Sequence, residues 1–431
     1  MVPSGVRGDG PAPGSAPSGG RGHAPPGPGG SGGADGPPSP RSRDPICADG
    51  PPSPSSGDPV DGPRPDPRDP LAFAFRGVRF RLLPGADEPC AAAASSVVCA
   101  ASFRLGASLV PCGRVPEGMR VAHAHAAALD GLLPDGDRRE LLRLLVGDAS
   151  ARALEDDARE PRDRPVEGPL DPVAAPLDAP SPLLPPELWS RRTADAAGGP
   201  GTWGGRAALL DELLEGRRAC LRTLGRRLAG LFPDYLVAHL PTETLAPATP
   251  AGGGGRSSLH PFVVNAAMAG DSYAWHVDAD PTSFDRSSAW CRAFGDYVNG
   301  EPGLPLLASL VLYPNPRWEP GWGGDTHLLD ADAACGALVA PRPGRALLMD
   351  QDALHRVSAP LASAGGRPRL SVVWKLALVP REGRAARAPH DIFQPDWDPP
   401  ALVGSAARVE AIRRAAVREV LVKRRRSAER P

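Results

Sequence analysis

The sequence predicts an α+β protein in which helices support a β sandwich or barrel, behind a disordered tail. Three observations predict it. Leucines recur at helical spacing between residues 117 and 231. From Pro261 to Leu378, short apolar runs alternate with Gly, Pro, Asn and Asp, the pattern of an all-β sandwich or barrel. The first 70 residues hold 35 of the chain's 105 Gly and Pro and no Phe, Tyr or Trp, so they bury too little apolar surface to offset the entropy of ordering.

The elements follow in order. Leu71–Leu83 alternates in part and reads as strand. Residues 117–146 read as helix, with Pro134-Asp135 as a break and new start. The acidic, Pro-rich stretch 150–200 reads as a surface insertion within a support region spanning 71–258. Residues 206–231 form the clearest helix, with Leu210, Leu213, Leu214, Leu221, Leu224 and Leu228 on one stripe. Ala251–Ser258 is a Gly-rich loop. The strand runs are Phe262–Met268, Leu306–Tyr313, Thr326–Leu329, Ala337–Ala340, Arg345–Met349 and Leu370–Leu378, which places the barrel at 259–400. Ser405–Arg426 returns to helix inside a basic tail, 401–431. Its Lys423-Arg424-Arg425-Arg426 run reads as a solvated helix end rather than a nuclear address.

Composition excludes several classes. A net charge of −1 argues against a protein held on nucleic acid by bulk charge. No run of 18 apolar residues predicts a membrane span. The first 30 residues lack the apolar centre of a signal peptide, so the expectation is a cytoplasmic or nuclear protein, with an organelle transit peptide left open. Seven scattered cysteines without a CxxC argue against a disulfide framework or a cysteine-built zinc site. The cysteines read as small buried apolar residues.

The chemistry centres on histidines. His276-Val277-Asp278 is an HxD, and on a strand residues i and i+2 share a face, so both side chains can approach one metal ion. A third ligand is needed, and His355 follows the strand Arg345–Met349. Two His and one carboxylate on one face leave three coordination positions open, the arrangement of non-haem Fe(II) oxygenases. His123 and His125 form an HxH, but in a helix i and i+2 diverge. His239, His260 and His327 read as structural. Trp275, Trp318 and Trp322 crowd the same segments, as cleft lining or as core.

After Asp278 come LASLVLYPNPRW (307–318), WGGDTHLL (322–329), APRPGRALLMD (340–350), His355 and RPRLSVVWKL (367–376). This succession resembles the 2-oxoglutarate- and Fe(II)-dependent dioxygenases, and within them the prolyl 4-hydroxylase-like group. LDGLLPDGDRRELLRLL (129–145) is similar to the helical lead-in of such domains. The resemblance implies a double-stranded β-helix (jelly-roll) core with His276, Asp278 and His355 as Fe(II) ligands. It implies 2-oxoglutarate and O₂ as co-substrates, release of succinate and CO₂, and room for ascorbate. The far carboxylate of 2-oxoglutarate would be gripped by Arg369 with Ser371, and by the phenol of Tyr313. Arg367 competes with Arg369 for that role, because the Trp that follows the basic residue in relatives falls one place off, at Trp374. Asn265 stands where many relatives carry Tyr, and His327-Leu328 replaces a common Phe.

The expected reaction is hydroxylation of a protein side chain, prolyl first, with a peptide or protein partner. Nucleobase demethylation is ranked lower, since Lys375 stands nearest to where those relatives carry a further Arg. A small-molecule substrate, a non-catalytic barrel serving as an interaction module, and a Zn²⁺ hydrolase are the other readings. The carboxylate-gripping pair would have no purpose in the hydrolase.

Overall fold

The computed structural model describes residues 63–89, 98–105, 124–159, 181–192, 202–245, 260–271, 273–281, 284–297, 299–301, 303–330 and 335–381. The expected tail up to residue 62, the Gly-rich loop, His123 and the C-terminal helix lie outside these residues. In chain order the strands of the first half are β1 (Arg64–Asp66), β2 (Asp69–Phe75), β3 (Val78–Arg81), β4 (Val98–Leu105), β5 (Ala124–Asp130), β6 (Trp189–Arg191), β7 (Trp203–Gly205) and β8 (Tyr235–His239). Those of the second half are β9 (Phe262–Ala267), β10 (Leu306–Leu312), β11 (Thr326–Asp330), β12 (Cys335–Val339), β13 (Ala346–Asp350), β14 (His355–Val357) and β15 (Arg369–Pro380). The helices are α1 (Asp135–Arg159), α2 (Ala207–Glu215), α3 (Ala219–Leu231) and α4 (Ala289–Phe294).

Nine strands form one antiparallel sheet in the order β4-β5-β13-β10-β15-β9-β7-β6, with β8 also pairing to β15. A second sheet, β12-β11-β14, is extended by an antiparallel bridge between His276 and His355. The two pack face to face. Val311, Tyr313, Leu347 and Met349 from the large sheet bury against Leu328 and Val339 from the small one. This is the double-stranded β-helix, with helices flanking one side.

Alternation explains the layering, because successive strand residues face opposite ways. Along β10, Leu306, Ala308, Leu310 and Leu312 face a core built with α1, α2 and α3, while Val311 faces the barrel interior. Along β15, Leu370, Val372, Trp374 and Leu376 face the helices, which leaves Arg369, Ser371, Val373 and Lys375 for the interior. A third sheet, β1-β2-β3, shares a separate core with α4 and β10: Phe73, Phe75 and Phe80 pack on Trp290, Phe294 and Leu307.

Four expectations are corrected. Residues 124–130 form β5, not helix. Ala-rich AHAAALD has high helix propensity, but pairing to β4 on one side and β13 on the other decides its state. The helix does begin at Asp135, and Gly147 interrupts it with φ 76° and ψ 165°. The strand expected over Leu71–Leu83 is a hairpin that starts earlier, in β1 and β2, and turns at Arg76-Gly77 with positive φ at both residues. The single helix over 206–231 is two. Gly216 ends α2 in the left-handed region at φ 67°, where a Cβ would lie 2.3 Å from Pro84 Cγ. Part of the expected surface insertion is built in: β6 joins the large sheet, and buried Trp189 donates Nε1–H to Leu145 O at 2.7 Å.

Candidate functional site

The HxD segment lies beside β14 as an added strand of the small sheet. His276 and His355 exchange both backbone hydrogen bonds, at 3.0 and 2.9 Å, so their side chains share a face. The rings stand 4.3 Å apart, and ligand atoms of His276, Asp278 and His355 all lie within 4.8 Å of one another. Among the described residues no other group of His, Cys, Asp or Glu converges in this way.

Each imidazole is oriented by the chain itself. His276 Nδ1 lies 2.9 Å from Ala274 O, and His355 Nδ1 lies 2.8 Å from Ala353 O. A carbonyl only accepts, so both Nδ1 atoms carry the proton and both Nε2 lone pairs are free for a metal. Burial lowers the pKa of His355 against the pull of Asp278, which favours the neutral, ligating form. Asp278 is positioned by its backbone N–H, which donates to Gln351 O at 2.8 Å. Its side chain is clamped from the opposite sheet. Ser309 Oγ donates to Oδ2 at 2.6 Å, and Lys375 Nζ stands 3.6 Å from Oδ1. Burial alone would raise the Asp278 carboxyl; Lys375, then His355, then the Ser309 bond outweigh it and hold the pKa below the usual range. Two imidazoles with open Nε2 atoms and one carboxylate on a shared face fit a divalent first-row metal with open positions.

Arg369 is 1% exposed, and no ion-pair partner for it exists among the described residues. Its Nε donates to Gly324 O at 2.9 Å, one terminal nitrogen to Ser371 Oγ at 2.8 Å and the other to Thr326 Oγ1 at 3.0 Å. Three of five N–H donors are used, which leaves two for a ligand. Thr326 Oγ1 also bonds Tyr313 O–H at 2.9 Å, and the guanidinium sits 5.0 Å from the Tyr313 ring centre. Burial raises the Tyr313 pKa against the pull of Arg369, so the phenol keeps its proton. A buried cation with no ion pair and two spare donors fits a carboxylate. Asn265, directly across β9 from Ser371, has a buried Oδ1 with no hydrogen-bond partner and faces the same interior.

Local sequence explains the placement of Arg369. Asn315, in the turn after β10, donates Nδ2 to Pro368 O at 2.9 Å and accepts from Leu370 N–H at 2.8 Å, which fixes the start of β15. Gly324 has φ 73°, and a Cβ there would meet Arg369 Cγ at 3.1 Å, so the Gly pair gives the guanidinium its room.

The structure separates the two rival arginines. Arg367 lies outside the barrel, paired with Asp157 at 2.7 Å through Nε and stacked 5.1 Å from the Trp322 ring centre. Trp374 faces the helices and donates Nε1–H to His239 Nδ1 at 3.1 Å. His327 and Trp275 lie on the outer face of the small sheet with Arg356, whose guanidinium covers Trp275 at 4.7 Å. His125 is on a strand, but it meets Asp350 and not a metal set. Sequence reasoning missed Thr326, Ser309 and the placement of Lys375. The Thr of the GGxT motif was a usable signal. Ser309 and Lys375 become visible only through the register that puts them opposite each other on β10 and β15.

Beside Asp278 and Lys375 opens a cavity of about 300 Å³, walled by Leu240, Leu245, Val277 and Phe284. No described helix is long and apolar enough to cross a membrane.

Residues 262–374 match the 2OG-Fe(II) oxygenase superfamily, oxidoreductases that use Fe(II), 2-oxoglutarate and O₂. No curated protein matches the chain in sequence. Among solved structures, a prolyl-4-hydroxylase from Pseudomonas putida is 15% identical with a TM-score of 0.27, over 59% of this chain and 92% of its own. A 2OG-Fe(II) oxygenase family oxidoreductase from Burkholderia pseudomallei is 13% identical with a TM-score of 0.26, over 58% and 94%. A prolyl hydroxylase from Trichoplax adhaerens, in complex with a hypoxia inducible factor peptide fragment, is 15% identical with a TM-score of 0.22, over 46% and 73%.

Proposed function

We propose that this chain is an Fe(II)- and 2-oxoglutarate-dependent dioxygenase that hydroxylates a protein side chain, prolyl first, with release of succinate and CO₂. In this reading His276, Asp278 and His355 hold the metal, which when bound supplies the site where O₂ is reduced. Arg369 grips the far carboxylate of 2-oxoglutarate, Ser371 and Thr326 hold the guanidinium in place, and the Tyr313 phenol is close enough to add a donor. The observation that carries the reading is the buried guanidinium left without an ion pair in the same barrel interior as a two-His, one-carboxylate set. A metal site for hydrolysis alone has no use for that cation.

The chain's own residues prepare the site. Both histidines keep the proton on Nδ1 and donate it to a backbone carbonyl, which fixes the ligand tautomers before any metal arrives. Ser309 holds one carboxylate oxygen, so Asp278 presents itself in a single orientation. The cavity beside Asp278 offers Leu240, Leu245, Val277 and Phe284 as apolar contacts for a pyrrolidine ring, next to the charged Asp280, Asp285 and Lys375. The prolyl preference rests on that lining and on the ordered motif set.

The test is release of succinate from 2-oxoglutarate by Fe(II)-loaded protein across a panel of proline-containing peptides, with the peptides examined for a mass gain of one oxygen. Turnover lost in His276→Ala and Arg369→Ala supports the reading. A loaded protein that binds metal yet consumes no 2-oxoglutarate with any peptide would overturn it.

A further inference from the structure

We propose that Lys375 is a metal-gated cation: its ammonium is the counter-ion of Asp278 until a divalent metal takes that carboxylate, and it then turns into the adjoining cavity. The proposal rests on the assignment of Asp278 as a metal ligand.

The chain carries 49 basic residues, and only Lys375 and Lys423 are lysine. A lysine ammonium is a compact charge on a flexible stem, able to swing between partners where a guanidinium fork would be fixed. Lys375 is well buried, with 13% of its side chain exposed. Its ammonium faces Asp278 Oδ1 at 3.6 Å, beyond hydrogen-bond reach, so attraction alone holds it there. Ser309, its register partner on β10, by contrast holds Oδ2 with a directed bond of 2.6 Å. The carboxylate is therefore fixed from one side and only neutralised from the other.

A dication entering between His276, Asp278 and His355 would bring two positive charges to the carboxylate that the ammonium now neutralises. Attraction between Lys375 and Asp278 would fall, and repulsion from the ion would replace it. Lys375 has somewhere to go. It lines the cavity of about 300 Å³ together with Asp278, and Asp280 and Asp285 line it as well. The ammonium at the cavity's edge is neutralised by Asp278 before the metal arrives and turned toward the cavity afterwards, so a substrate group entering it meets a different charge pattern before and after loading.

Two lysines make the test direct. The full-length protein is acetylated with acetic anhydride at limiting reagent, either metal-free or saturated with Zn(II), a redox-silent probe, and labelling of each lysine is read by mass spectrometry with Lys423 as internal reference. Lys375 labelling should rise about fivefold or more on Zn(II) binding as the ammonium moves to the accessible cavity. Lys375→Met should bind Zn(II) about tenfold more tightly by calorimetry, because a competing cation is gone. A lysine with a merely structural role would leave affinity unchanged or weaken it. Unchanged or reduced labelling in the Zn(II)-bound protein, or weaker binding by Lys375→Met, overturns the proposal. Wild type that binds no Zn(II) at all would overturn the metal assignment itself, an outcome that calorimetry separates from the rest.

Discussion

Arg369 and Ser309 show how single side chains divide between fold and function. Arg369 is buried without an ion pair, an arrangement that costs stability unless a ligand compensates it. Arg369→Met should therefore leave the melting temperature unchanged or higher, while 2-oxoglutarate affinity falls by about 2–5 kcal/mol, roughly thirtyfold or more. Thermal unfolding beside the 2-oxoglutarate dependence of succinate release checks both halves. A variant that melts well below wild type would show the guanidinium to be structural. Ser309 works through Asp278. Ser309→Ala should weaken Zn(II) or Mn(II) binding about 10–100-fold, since it frees the ligand carboxylate from its directed partner. Calorimetry reads this, and the sign is opposite to that expected for Lys375→Met. Two neighbours on the same carboxylate, one aligning it and one competing for it, are thus separable by direction.

Strand β15 acts as a ruler for the site. From Arg369 to Lys375 is six residues, about 20 Å along a strand, and alternation keeps both on the interior face. The opposite face carries Trp374, whose Nε1–H donates to His239 on β8, and only an unprotonated Nδ1 can accept it. Burial, then Arg81, lowers the His239 pKa to about 3. The folded pKa lies below the unfolded 6.5, so the unfolded chain takes up the proton first. The contribution is complete above pH 6.5 and is lost as pH falls toward 3, at about 1.4 kcal/mol per unit. His239→Gln keeps an acceptor for Trp374 without the titration. Urea midpoints at pH 7, 5.5 and 4 should show wild type losing about 3 kcal/mol more than the variant by pH 4. Parallel curves would refute the assignment. These elements also show what sequence can carry. That His276, Asp278 and His355 would converge was legible because strand period and motif order are local properties. Arg369 was legible only as one of a pair with Arg367, because residues two apart share a strand face, and what separates them is where β15 begins, at Arg369 paired to Ala267 of β9. β5 was misread because alanine favours helix until two ladder partners decide otherwise. Lys375 and Ser309 could not be paired, since register across 66 residues of chain leaves no mark in the sequence.

At the scale of the whole barrel, the two halves of the site belong to different sheets. The proposed metal set sits on the HxD segment and β14, beside β11, while Arg369, Ser309 and Lys375 rise from the large sheet. A dicarboxylate held by Arg369 and by a metal would therefore join the two sheets across the interior, in addition to the Ser309–Asp278 and Arg369–Thr326 bonds already there. Its affinity should depend on the metal, and the dependence should appear as stability. A ligand at a hundred times its dissociation constant adds about 2.7 kcal/mol, and for a domain of this size each kcal/mol moves the midpoint by about 2–4 °C. With Mn(II) in place of iron, 2-oxoglutarate alone should shift the melting temperature by less than about 1 °C, Mn(II) alone by about 5–10 °C, and the two together by clearly more than the sum. Arg369→Met should keep the Mn(II) shift and lose the extra one, and His276→Ala should lose both. An additive result in wild type would mean that the two ligands do not meet inside the barrel, and that the guanidinium and the metal set serve separate ends.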